Sequence, residues 1–231
     1  MKRVATIIVG LIALVAVVGT ASAALRLPQV PVAGGSLQGY LNSVGESINV
    51  LTDQNAAQRW QSTVSTNSTF TLQIELAGNA ASNTLGIYNA SAAVPPLYQL
   101  FPGAATSGWF AVASFRTAPV RVIVSLFDNN AAFQGNNTFL GADKTDFGLY
   151  LQQNPGVTFY SQDARNAGGD PQAVTYAGTG INSGSWWVCW EDLPYSGGSD
   201  HDFDDAVLFC ESINPTPVSK TTWGSVKARF R

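Results

Sequence analysis

Residues Thr69 to Ala77 (TFTLQIELA) alternate apolar and polar side chains through Phe70, Leu72, Ile74 and Leu76. A period of two is the pattern of a strand with one buried face. The rest of the chain repeats the style in shorter pieces. Thr84 to Tyr88, Leu97 to Phe101, Gly108 to Phe115, Val120 to Phe127 and Asp146 to Leu151 are strand candidates. Thr158 to Ser161, Ala173 to Tyr176, Ser185 to Trp190 and Ala206 to Ile213 complete the set. Turn signals such as Asn154-Pro155-Gly156 and Gly168-Gly169-Asp170 cut them apart. About ten short strands predict an all-β fold, an antiparallel, jelly-roll-like β-sandwich. Ser36 to Leu51 is the exception, with apolar residues at 37, 41, 44, 48 and 51 in helical spacing. Gly39 and Gly45 weaken that pattern, so a short helix is expected near the start of the domain.

No internal repeat or low-complexity linker divides the chain. One domain is expected over residues 36–213, and the place where it would divide is 129–141. Ahead of it, Lys2 and Arg3 precede an apolar run from Val4 to Val18, then the small-residue motif Ala21-Ser22-Ala23. That order is the pattern of a secretory signal peptide over residues 1–23, and the run falls short of the ~20 residues a spanning helix needs. Residues 24–35 read as a Pro/Gly-rich leader of the mature chain, which is expected to be secreted or held at the cell surface. Beyond the last strand, residues 214–231 form a basic tail in which Trp223, Val226 and Phe230 share a helical face. It reads as a frayed end packing one Trp, or as a sorting tag.

Removal of Lys2 and Arg3 with the signal peptide takes the formal net charge from −3 to −5. An acidic chain without a basic, aromatic-interleaved patch is not a nucleic-acid binder. No later segment is apolar for long enough to span a membrane.

The charge is concentrated in one place. Glu191, Asp192, Asp200, Asp202, Asp204 and Asp205 are six of the fifteen acidic residues, and no Lys or Arg lies among them. Strand-like runs on both sides make this stretch a hairpin loop. Carboxylates packed so closely repel one another unless a cation holds them. Asp200, Asp202 and Asp204 follow the alternate spacing of calcium loops. A helix–loop–helix calcium site is excluded, because the sixth position is Asp205 instead of Gly and the flanks are strands. A β-hairpin site for Ca2+ is the expectation; the bland alternative is a solvated acidic loop.

Cys189 and Cys210 stand in the two flanking strands. A register that sets them opposite one another, and Asp192 opposite Val207, would allow a cross-strand disulfide in an exported protein; the other reading is two buried thiols. Trp186, Trp187 and Trp190 sit beside the loop, with Trp187 on the opposite strand face from the other two. An exposed Trp187 would stack on a sugar ring, which makes a carbohydrate-binding module the alternative function. A glycoside hydrolase using Glu191 or Asp192 as acid and an Asp as base is a weaker third reading, because a cluster this crowded does not separate its pKa values. His201 is the single His, and nucleophile-elbow, phosphate-loop, dinucleotide and zinc motifs are all lacking.

The span from about Phe147 to Ile213 resembles the bacterial domain of unknown function numbered 4114, found in exported and surface proteins. FGLYL, FYSQDARNAGGD and WEDLPYSGGSDHDFDDAVLF carry the resemblance. Glu191-Asp192-Leu193 matches the family's acidic pair, and Asp200, Asp202, Phe203 and Asp205 match its D-x-D-[FY]-N-D run. Asp204 stands where the family has Asn, and Gln172 where it often has His. TDQNAAQRW, NTLGIYN and LFPG in the first half look like members that carry PEP-type export tags, although no apolar helix precedes the basic end here. The resemblance implies a β-rich fold with calcium at the acidic motif. A non-enzymatic, structural or adhesive role follows as the expectation, with calcium and a surface polysaccharide or matrix protein as partners.

Overall fold

The computed structural model describes residues 23–63, 67–75, 81–153 and 156–216, so the apolar run expected to belong to a signal peptide and the basic tail from residue 217 lie outside the described residues. The chain forms helix α1 (Ser36–Ser43), then β1 (Trp60–Ser62), β2 (Asn67–Glu75), β3 (Thr84–Asn89), β4 (Leu97–Phe101), β5 (Phe110–Thr117) and β6 (Val120–Phe127). β7 (Phe133–Leu140), β8 (Phe147–Gln152), β9 (Thr158–Tyr160), β10 (Ala173–Ala177), β11 (Trp186–Trp190), β12 (Ala206–Glu211) and β13 (Ile213–Pro215) follow. One sheet runs β13-β1-β8-β3-β4, with β9 also on β8; the other runs β10-β11-β12-β2-β5-β6-β7. Each pairing is antiparallel, and the chain crosses repeatedly from one sheet to the other. The fold is the all-β sandwich that the alternating pattern predicts.

Two large apolar layers hold it, beside a smaller cluster of Tyr88, Ala90 and Tyr150. The first lies between the sheets, where Phe70, Leu72, Phe115, Val122, Trp186, Val188 and Leu208 meet Leu85, Ile87, Phe147, Leu149 and Leu151. The second lies on the outer face of β10, β11 and β12. There Val174, Tyr176, Trp187, Cys189 and Val207 are covered by Val30, Leu37, Leu41, Ile48, Val50 and Phe203. β11 is therefore buried on both faces. The helix that supplies Leu37 and Leu41 is shorter than its spacing suggests, because the chain turns at Val44 and Gly45, the latter at φ +85°. Residues 24–35 are docked in place: the Gln54 side chain bonds both backbone groups of Val30, and the Ala33 N–H donates to the His201 carbonyl.

Three details depart from the expectations. Residues 129–141 carry β7, hydrogen-bonded along β6, and are no linker. The register of the last hairpin sets Cys189 opposite Val207 and Trp186 opposite Cys210. A shift of three residues is odd, so it sends the two thiols to opposite faces, Cys189 into the outer layer and Cys210 into the inner one. Both cysteines are free and buried, and the Cys189–Cys210 disulfide does not form. Finally, β2 bulges against β12 between Val207 and Leu208. Phe70 and Leu72 face the inner core, but Ile74 packs in the outer layer opposite Val207. The residue that follows, Glu75, is thereby set opposite Ala206, which faces inward.

Candidate metal centre

The loop from Glu191 to Asp205 leaves β11 at Trp190 and rejoins β12 at Ala206, which are paired, so it is pinned at its mouth. Phe203 anchors its returning arm. Its ring is fully buried in the outer layer, a burial worth about 1.5–3 kcal/mol. Bringing that ring inward while leaving Asp202 outside it requires a sharply coiled backbone: His201 and Phe203 both adopt positive φ, +64° and +56°. Gln172, from the segment before β10, fixes the start of the loop by donating to the Leu193 carbonyl and accepting the Tyr195 N–H at 2.7 Å. The His201 ring stacks on Tyr195 at 4.0 Å and its Nε2 bonds the Tyr195 carbonyl.

Glu191 is the centre of this arrangement. It is fully buried; Oε1 accepts the Phe203 N–H at 2.6 Å and Oε2 accepts the Ser199 hydroxyl. One carboxylate oxygen each from Glu191, Asp200 and Asp202 lies within 4.8 Å of the other two, the one such grouping among the described residues. Burial pushes the Glu191 carboxyl up, opposed in part by the Ser199 and Phe203 bonds, and the Asp200 charge adds to the rise. Asp202 is pushed up to about 6, by burial first and then by the charges of Asp204 and Asp200. Three acceptor-only groups in mutual repulsion are an oxygen-ligand set, and the triad can hold a metal ion.

The other predicted ligands are placed differently. Asp204 is nearly buried and donates its N–H to Asp202 Oδ1 at 3.2 Å; it is outside the triad. Asp192 and Asp205 face each other across the loop mouth, the Asp192 N–H donating to Asp205 Oδ2 at 2.8 Å. Burial, and then the charges of Asp192, Glu191 and Asp202, push Asp205 up to about 7.

Trp187 is no carbohydrate contact. It is 2% exposed, edge-on to Tyr40, and its Nε1–H donates to Glu46 at 2.8 Å. Trp186 and Trp190 are buried as well, so the alternative reading loses all three of its rings. Covering of the outer face by α1 is the cause, and a weak helical pattern with two glycines does not announce it. Two further acceptors were not legible as site residues: Glu75, brought inward by the bulge, and Asn83, just before β3, whose amide donates to Asp192 Oδ2 at 2.9 Å. Strict alternation along β2 would have turned Glu75 to solvent.

Comparison of this chain with protein-family models, with curated proteins and with solved structures gives no match.

Proposed function

We propose that the protein is an exported, non-enzymatic β-sandwich that binds calcium at Glu191, Asp200 and Asp202, with a structural or adhesive role at the cell surface or in the extracellular matrix. The observation that carries this reading is the convergence of three carboxylates within 4.8 Å, one of them wholly buried, in a loop with no Lys or Arg. Calcium suits an all-oxygen set on a coiled loop, and extracellular sites of this kind can be weak because the ion is abundant. The signal-like N-terminus supports export, and the resemblance of residues 147–213 to the surface-associated domain 4114 supports the same ion. In this reading the ion neutralises the triad and fastens the loop to the last strand pair; the protein then acts as a calcium-hardened module.

Calcium that binds only the folded chain stabilises it by mass action, about 2.7 kcal/mol at a hundredfold excess over Kd. For a chain of this size that is a rise in Tm of about 5–10 °C. Melts in calcium and in chelator check it on the wild type and on Asp200→Asn/Asp202→Asn. The rise should be markedly smaller in the double variant; the same rise in both proteins, or none in the wild type, would sink the reading.

A further inference from the structure

A second set of oxygens lies behind the mouth of the same loop. Glu75 is turned to the inner face by the β2 bulge, and its Oε1 is buried without a hydrogen-bond partner. Asn83 is 1% exposed; its Nδ2 donates to Asp192 Oδ2, while its Oδ1 is buried and without a partner. Asp205 joins them through its Oδ2, 2.8 Å from the Asp192 nitrogen. Two buried acceptors thus lack donors beside two further carboxylates. An unsatisfied buried acceptor is costly, and native chains rarely keep two together without a ligand to satisfy them. The ion pairs formed among the described residues, Arg26–Asp163 and Arg59–Asp146, involve neither Glu75 nor Asp205. Burial first, and then the Asp192 charge, push Glu75 up to about 8, in keeping with a carboxylate that lacks a counter-charge.

We propose that Glu75, Asn83, Asp192 and Asp205 form a second calcium site, separate from the Glu191–Asp200–Asp202 triad. Asn83 is its adaptable member. Without an ion the amide donates to Asp192; a half-turn exchanges Nδ2 for Oδ1 and converts the donor into a ligand. Calcium, with 6–8 oxygens at about 2.3–2.6 Å in tolerant geometry, accepts such a shell where magnesium, at about 2.0–2.1 Å and octahedral, does not. The adjacent Glu191 and Asp192 then belong to different ions, so the two sites brace the loop at two points. This site goes beyond the reading of the triad and stands or falls without it.

Calcium titration calorimetry on the full chain, with metal content after dialysis, tests it. The wild type should bind two ions, Glu75→Gln one, and Asp200→Asn/Asp202→Asn one. Asn83→Asp, which adds a charge without removing an oxygen, should keep both ions and tighten one step at least tenfold, and it reports on the site even if Glu75→Gln folds poorly. A single ion kept in Glu75→Gln and lost in Asp200→Asn/Asp202→Asn would overturn the second site and leave the triad standing. A single ion lost in Glu75→Gln and kept in the double variant would uphold this site and overturn the triad. Two ions in Glu75→Gln with unchanged affinities, or an Asn83→Asp chain that binds as the wild type does, would also overturn it.

Discussion

Glu75 and Asp205 carry carboxyls that the fold holds far from their ordinary state, about 8 against 4.5 and about 7 against 3.8. Desolvation is the main cause at both, followed by the Asp192 charge. A carboxyl whose folded pKa is raised takes up its proton on folding between the two values. Its contribution to stability is therefore present below the unfolded pKa and is lost as pH rises through the folded one. In chelator, the Tm should fall between about pH 5 and pH 8, and Glu75→Gln should flatten that fall; a wild-type Tm that climbs across this window contradicts the assignment. The cysteines give a second check at this scale. Both thiols are buried and pushed up by burial, Cys189 further by the Asp204 charge. A thiol reagent should find none in the native chain and two after denaturation, and a reductant should leave the Tm unchanged. The residue identities near the loop were legible, since a charge cluster shows itself in any sequence. The pairing of Cys189 was not, because the register of a hairpin closed by a long loop is set by where Phe203 and the loop mouth pack, which sequence distance does not measure.

Among the elements, alternation located the long strands well and failed where a second constraint intervened. β2 follows its period through Leu72 and then bulges, which places Ile74 and Glu75 on faces opposite to those the period assigns. β7 was invisible because FQGNNTFL, at the edge of its sheet, is mostly exposed and needs no apolar face. β11 reads WWVCW without alternation because α1 buries its outer face. The central pair β3–β8 shows the opposite case, a sequence detail with a clear structural cause. Gly148 is paired with Tyr88, and Gly86 with Tyr150, each ring lying over the facing glycine. A methyl group on Gly148 would overlap the Tyr88 ring. Tyr88 is fully buried and held by Arg165 at 5.4 Å and by Tyr160, so the ring has little room to yield. Gly148→Ala should cost about 1–3 kcal/mol, measured by denaturant unfolding. A variant within a few tenths of a kcal/mol of the wild type would show that the ring moves freely.

For the whole molecule, the sandwich supplies a rigid frame and the 191–205 loop a coiled insert fixed at its mouth by β11 and β12 and along its returning arm by Phe203. The frame gathers acidic groups that the unfolded chain would keep apart, and in the absence of a cation it holds several of them above their ordinary pKa. Such an arrangement is destabilising by itself and, on the proposed reading, becomes favourable when a divalent ion binds. If the protein is exported as proposed, its stability would then follow the calcium level outside the cell. Anomalous diffraction from crystals grown in calcium, and again after exchange for a lanthanide, is the most direct measurement. A peak bounded by the carboxylates of Glu191, Asp200 and Asp202, with metal–oxygen distances of about 2.3–2.6 Å, is the predicted result. Crystals in millimolar calcium that show these three carboxylates in place and no anomalous peak between them would contradict it.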